Sequence, residues 1–414
     1  MEEQLKIDFD KIIKNLKPSK RDIELREKNL NKFIKNGFPN KRIEDWKFSD
    51  LNQIISSNIK ELKFFNDEIK PGEFDQSILI NNFDHNKIIF INGLISKFDF
   101  NYEEKDKIEI IDTQETEDLD SSNSLVSLNN ALKFNYVKLT IKENYSLNKP
   151  LIIYNITNKK LNSNTINQRI DFILKKNSSL KLINLFDDSS NNNFININYQ
   201  FKIEKDAILK NYKVDHKLNS NIKYFFNNID IDHNGLAETF ILSTGSKFIK
   251  NEINCNLNDQ YSSAFINGII NLKDDQHHEI KTNINHLAEN TKSYQLIKSV
   301  LNDNSKGVYQ GKIFVNSRAQ KTDGYQLSKA LLLNENTEFD AKPELEIYAD
   351  DVKCSHGSTS GNLDEEAIFY LMSRGLNYQQ SRKLLINGFL LDVVEKITDL
   401  EIKDLIKNIM EIRE

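Results

Sequence analysis

The sequence predicts a mainly β protein: a parallel β-helix core flanked by an N-terminal helical (α/β) region and a C-terminal helical domain. Three observations carry this expectation. Helical periodicity is nearly absent from about residue 135 to 352, where short β-branched and aromatic runs follow one another. Polar corner residues recur ahead of those runs at a near-constant spacing. Helix-type patterning returns after Gly361, and it also marks residues 1–60.

At the start, "LREKNLNKFIKNGFP" sets Leu25, Leu30, Phe33 and Ile34 near helical spacing before Gly37 and Pro39 end the helix. "KRIEDWKFSDL" carries the only tryptophan, and Trp46 with Phe48 and Leu51 reads as a packing anchor. "SILINNF" and "KIIFING" read as short strands, and the acidic, Ser-rich stretch from Glu115 to Ser124 reads as a loop and a boundary. Strands then follow in "YVKLTIKEN", "PLIIYNIT", "RIDFILKK", "LKLINLF", "FININYQFKIEK", "FINGIINLKD" and "KPELEIYADDV". Corner residues Asn177, Asp206 and Asn234 are 29 and 28 positions apart, and Asp275 to Asn304 is 29 again. Stacked rungs give such a period, each covering the apolar face of the next. A large antiparallel sandwich is the rival, since alternating strands suit either. In the tail, Asn362 with Glu365, Asn377 with Gln380 and Thr398 with Glu401 mark three helix starts, and Gly375 and Gly388 the stops between them. Ile368, Leu371, Met372, Leu384 and Leu385 form the expected buried stripe. The expected domains are residues 1–125, 126–361 and 362–414.

Composition narrows the function classes. The 414 residues hold 56 Lys+Arg against 61 Asp+Glu without a long block of one sign, so no basic footprint for nucleic acid is expected. The longest apolar runs fall far short of the roughly 18–20 residues that span a bilayer. Two cysteines with no apolar signal segment predict a soluble, cytoplasmic protein with free thiols and no disulfide framework. No phosphate-binding Gly-rich loop or dinucleotide fingerprint is present.

"KPELEIYADDVKCSHGSTSGNLDEE" places Cys354 two residues before His356, where a strand-like run is expected to break into a turn. In a strand, residues i and i+2 share a face, so thiolate and imidazole can be presented side by side. Two ligands fall short of the four that a structural zinc or iron-sulfur centre takes. The pair therefore reads either as a buried Cys and a turn His with structural roles, or as half of a shared site. Asp350 and Asp351 are candidates for an oxygen ligand or for tuning the histidine, although such pairs are mostly solvated. Cys255, with Ile253 and Leu257 at the same strand parity, reads as core. His277 and His278 are expected at the surface, and His216 and His233 at strand ends. A Cys-His nucleophile is disfavoured, because no oxyanion-hole motif or orienting third residue accompanies the pair.

The block "AQKTDGYQLSKALLLNENTEFDAKPELEIYADDVKCSHGSTSGNLDEEAIFYLMSRGL" at 319–376, with "LLINGFL" at 384–390, resembles the SufB/SufD family of iron-sulfur cluster assembly proteins. The "CSHG" form is similar to its SufD branch, and "RIEDWKFSDL" and "LNNALKFNYVKLTI" resemble that branch's N-terminal tryptophan motif and the start of its core. The resemblance implies a right-handed parallel β-helix and a non-catalytic scaffold. It implies pairing with SufB through the β-helix ends and docking of the SufC ATPase through the C-terminal helices, with ATP hydrolysis supplied by SufC. His356 is then the functional residue and Cys354 its neighbour at the shared interface, where iron or a nascent cluster binds transiently. Flavin (FAD) binding to the complex stays open, and a homodimer through the same surface is expected of the isolated chain. Ser358 stands where the family commonly has Ala, and "QLSKALLL" departs from the more usual Ser-Asn-Arg run. The runner-up is the SufB paralogue, which needs a persulfide-accepting cysteine and has only Cys255 to offer. A polysaccharide-active β-helix enzyme and a pure interaction protein are the more distant alternatives.

Overall fold

In the computed structural model, which describes residues 2–66, 74–113, 115, 122–159 and 161–412, the chain opens with helices α1 (Glu2–Leu16), α2 (Lys20–Asn36) and α3 (Leu51–Asn58). The Ser19 hydroxyl caps α2 by accepting from the Asp22 N–H, and Gly37 ends it at φ 67°, where the sequence places the stop. Strands β1 (Asn86–Ile91), β2 (Leu94–Asp99) and β3 (Ile108–Thr113) precede α4 (Ser124–Leu132). "SILINNF" is not a strand: it forms a 3-10 turn over Gln76–Ile78. Leu79 and Ile80 pack on the outside of a sheet, and the Ile80 N–H donates to the Tyr154 hydroxyl instead of to a neighbouring strand. Most of the expected boundary from Glu115 to Ser124, residues 116–121, lies outside the described residues.

Sixteen strands, from β4 (Tyr136–Ile141) to β19 (Val352–Gly361), wind into rungs of two strands each. The odd-numbered strands after β4 stack with β1 and β2 into sheet A, and the even-numbered ones stack with β3 into sheet B. Every pairing is parallel except β1 with β2 and β3 with β4. The solenoid reading therefore holds and the sandwich falls. Corners Asn177, Asp206 and Asn234 have φ of 55°, 58° and 53°. Asn and Asp tolerate this left-handed region, so they recur there. Each corner N–H donates to the rung above it, and Asn234 Nδ2 also donates to Asp206 Oδ1 at 2.8 Å. The second pair of corners sits one residue earlier than expected, at Asp274 and Asp303.

Parallel sheets need both faces covered. The lumen between the sheets is filled mainly by aliphatic and aromatic side chains, among them Phe172 and Phe201, stacked with centroids 4.8 Å apart. Cys255 of β12 (Phe248–Leu257) lies in this core beside Ile253 and Leu257, as its parity predicts. The N-terminal helices cover the outside of sheet B, where Trp46 packs 5.7 Å from Tyr224 and under the Lys250 ammonium. The C-terminal helices α5 (Glu365–Ser373), α6 (Tyr378–Val394) and α7 (Leu400–Ile409) follow β19, and Leu390, Val393, Val394, Ile402 and Ile406 cover the outside of sheet A. No helix among the described residues is long and apolar enough to cross a membrane.

The tail departs from its expected pattern in three ways. Asn377 and Gln380 form the predicted capping box, but Asp364 and Asp399 cap α5 and α7 in place of Asn362 and Thr398. Gly388 lies inside α6 because the apolar run on either side continues the helix onto sheet A. Of the expected stripe only Ile368 is buried, while Met372 and Leu384 are 44% and 51% exposed, because the packed surface of α6 begins at its C-terminal half.

Candidate functional site

The last rung of the solenoid is formed by β18 (Glu338–Ile347) in sheet B and β19 in sheet A. Each pairs on one side only, with β16 (Lys306–Val315) and β17 (Thr322–Leu332) respectively. Cys354 and His356 thus lie inside an edge strand, not at a turn; the turn, residues 348–351, precedes them. "KPELEIYADDV" ends one strand and "VKCSHGSTSG" is the next.

Register fixes which way the β19 side chains face. Cys354 is opposite Gly324, His356 opposite Gln326 and Ser358 opposite Ser328. Cys354 packs against a small apolar group of Ile313, Val315, Ala319 and Ala349 at the mouth of the lumen. The Ser328 hydroxyl, fully buried, donates to Ser358 Oγ at 2.9 Å. His356 lies between these two inward-facing residues on the same strand parity, so Cys354, His356 and Ser358 form one row across the open end. Burial pushes the Cys354 thiol up, a backbone hydrogen bond with Gly324 opposes this, and the Asp323 carboxylate adds to it. His356 itself is exposed.

Across the mouth, β18 contributes an apolar row. Its partners in β16 give the row as Phe339, Ala341, Pro343, Leu345 and Ile347. The N–H groups of Glu338 and Tyr348 donate back toward sheet B, to Ser305 and Val315. By alternation the odd-numbered residues direct theirs at the free edge, where Pro343 has none to offer. The mouth therefore joins one polar row, one apolar row and two unpaired backbone edges.

Chemically, the row supplies a thiol and an imidazole. Among the described residues no group of three or more His, Cys, Asp or Glu side chains is placed to hold a metal ion, and Asp350 and Asp351 stay exposed in the preceding turn. The other histidines take no part. His278 is buried, against expectation: it donates from Nε2 to the Ser246 carbonyl (2.7 Å), while Nδ1 accepts from the Ser243 hydroxyl (2.9 Å), and burial pushes its pKa down to about 4. It is the second residue of β14 (His277–His286) and has inward parity, which the charged neighbours in sequence concealed. His216 and His233 are half-buried, away from the mouth. Cys255 is fully enclosed and its thiol is driven far up by burial.

A second polar region, a cleft of about 780 Å³ outside sheet B, contains Glu44, Asp45, Glu252 and Glu344. All four carboxylates are in ion pairs: Lys281 bridges Asp45 (2.7 Å) and Glu252 (3.0 Å), and Lys342 bridges Glu44 and Glu344. These pairs clasp the tryptophan turn to the sheet.

The family model for "SUF system FeS cluster assembly, SufBD core domain" matches residues 154–389, more than half of the chain. The chain is 52% identical over 69 residues to an Escherichia coli protein named "Iron-sulfur cluster assembly protein SufD", an alignment covering 17% of this chain and 16% of that one. It is 42% identical over 78 residues to "Protein ABCI7, chloroplastic" of Arabidopsis thaliana, covering 19% and 16%. It is 35% identical over 75 residues to a Plasmodium falciparum protein also named SufD, covering 18% and 5%. The chain thus aligns with about a sixth or less of the length of these relatives.

Proposed function

The chain belongs to the SufBD family of SUF-system iron-sulfur cluster assembly proteins, and we propose on that premise that it is a SufD-type scaffold subunit without turnover of its own. In this reading the open end of the solenoid pairs with SufB, and His356 and Cys354 supply half of the ligands for iron or a nascent cluster, which is cargo and not a resident cofactor. The observation that carries it is the last rung: two unpaired ten-residue edges flank a thiol and an imidazole that are too few to hold a metal alone. A shared site needs its ligands incomplete on each side.

Four further features support the reading. The partner ATPase has an apolar landing surface on α5 and the start of α6, where Phe369 (75% exposed), Tyr370, Met372, Tyr378 and Leu384 are bare. Cys255 lacks the access a persulfide acceptor requires, which disfavours the SufB alternative. The paired carboxylates of the outer cleft are engaged with lysines, which disfavours a polysaccharide-cleaving pair. Both thiols are free, in keeping with a cytoplasmic setting.

The test is His356→Ala in the reconstituted complex with SufB and SufC, read by absorbance of the forming cluster. Cluster formation is expected to fall at least about tenfold, the scale of a lost metal ligand or its support. Because His356 is exposed, folding stability should stay within about 0.5 kcal/mol and the complex should still assemble. Wild-type cluster formation in an intact complex would remove His356 from the site.

A further inference from the structure

Beneath His356 the lumen holds side chains that cluster binding does not use. Gln326 is one rung in from His356, and Gln295 is one rung further. Both are enclosed, at 0% and 1% exposure. The Gln326 amide reaches across the lumen from sheet A to the backbone of sheet B. With the amide turned so that its oxygen faces a donor and its nitrogen an acceptor, the nitrogen donates to the Gly311 carbonyl (3.2 Å) and the oxygen accepts from the Glu344 N–H (3.3 Å). The Tyr309 hydroxyl donates to Gln295 Oε1 at 3.1 Å and lies 3.4 Å from the Gln326 amide. Gly311 makes room for this: a Cβ there would collide with both the Gln326 amide and the Tyr309 hydroxyl.

A buried amide in a largely apolar tube costs free energy unless fully hydrogen-bonded, and an aliphatic side chain would fill the space more cheaply. What the amide supplies and a leucine cannot is a directional tie. Gln326 belongs to β17, on which β19 is registered, and both of its hydrogen bonds end on the β16 and β18 backbone around Pro343.

We propose that Gln326 is the positioning residue of the terminal rung: its cross-lumen amide sets the separation of the two edge strands, so that His356 and the free edge of β18 meet a partner in one geometry. This rests on the reading of the open end as the pairing surface. Gln326→Met keeps the length and volume of the side chain and removes both hydrogen bonds. In the full chain, hydrogen exchange is expected to quicken about tenfold over Glu338–Ile347 and Val352–Gly361, while Lys292–Leu301 keeps its wild-type protection. Affinity for the SufB chain should fall about tenfold as well. Gly311→Ala, which displaces the amide without deleting it, should reproduce the pattern and serves if Gln326→Met does not fold. Wild-type exchange in both edge strands together with wild-type pairing would overturn the proposal. His356→Ala run in parallel separates the two ideas. Loss of clusters in His356→Ala with a silent Gln326→Met removes the clamp alone, and the reverse result removes the His356 site and keeps the clamp.

Discussion

The two ends of the solenoid are finished differently. At the N-terminal end each sheet stops at a six-residue strand that turns back antiparallel: β2 on β1, and β3 on β4. Those strands carry charge, with Lys97 and Asp99 paired at 3.4 Å on β2, and Glu109 and Asp112 on β3. Short, charged, reversed strands discourage edge-to-edge addition. At the C-terminal end both edges are ten residues long and run in register with the rungs below them. The chain thus caps the edges at one end with its own reversed strands and leaves both edge strands at the other end paired on one side only. The same physical hazard, an unpaired edge, is suppressed in one place and retained in the other.

The largest expected effect comes from making the open end resemble the closed one. Leu345→Lys places an ammonium at the mouth among Ile313, Val315 and Ala349, and should weaken pairing with SufB by about a hundredfold or more, given the cost of burying an unpaired charge. Analytical ultracentrifugation of the mixed chains measures this, and undiminished pairing would show that the partner binds elsewhere. Next in size is a contrast in stability. Ile284→Ala, in the enclosed lumen, should cost about 2–5 kcal/mol in chemical denaturation, whereas Leu345→Ala, half-exposed at the mouth, should cost under about 1 kcal/mol. Equal losses would mean that the mouth is already packed in the isolated chain.

The smallest effect concerns the thiols. The thiolate is the reactive form, and burial raises both groups, Cys255 more than Cys354. Alkylation of the native chain should therefore modify Cys354 and spare Cys255. Because Cys354 sits above the ordinary thiol value of 9.0, its rate should keep climbing about tenfold per pH unit through pH 8 to 9 without a plateau. A plateau below pH 8, or labelling of Cys255 at a similar rate, would contradict the burial described.

The middle of the molecule was the most legible part of the sequence. Asn177, Asp206 and Asn234 announced the rungs because a left-handed corner admits few residue types, and parity alone put Cys255 in the core. Trp46 behaved as an anchor because a lone large aromatic beside a turn has little else to do. Legibility faded wherever one residue's environment is set by a distant strand. His278 looked exposed between charges, yet Ser243 and Ser246 bury and satisfy it. The α5 stripe looked like core, although much of it meets no sheet. For the candidate site, the Cys354–His356 pair was visible as a motif, but its place on an edge strand was not, because the run before it reads as that strand's own beginning. Gln326 was hidden altogether. Its signal is a 30-residue offset from His356, which acquires meaning only once the rungs are in register.

Pro343 leaves a blank in an otherwise regular row of donors along the free edge of β18. A strand laid there finds N–H groups at Phe339, Ala341, Leu345 and Ile347, and nothing between the middle two. Whatever its register, a regular strand there leaves one carbonyl opposite Pro343 without a donor, at about 1–3 kcal/mol if the contact is dry. Against a regular strand that loss is the same in every register, so it fixes no phase by itself. Only a strand that turns one carbonyl away opposite Pro343 would escape that loss, and only such a strand would be held to one register by it.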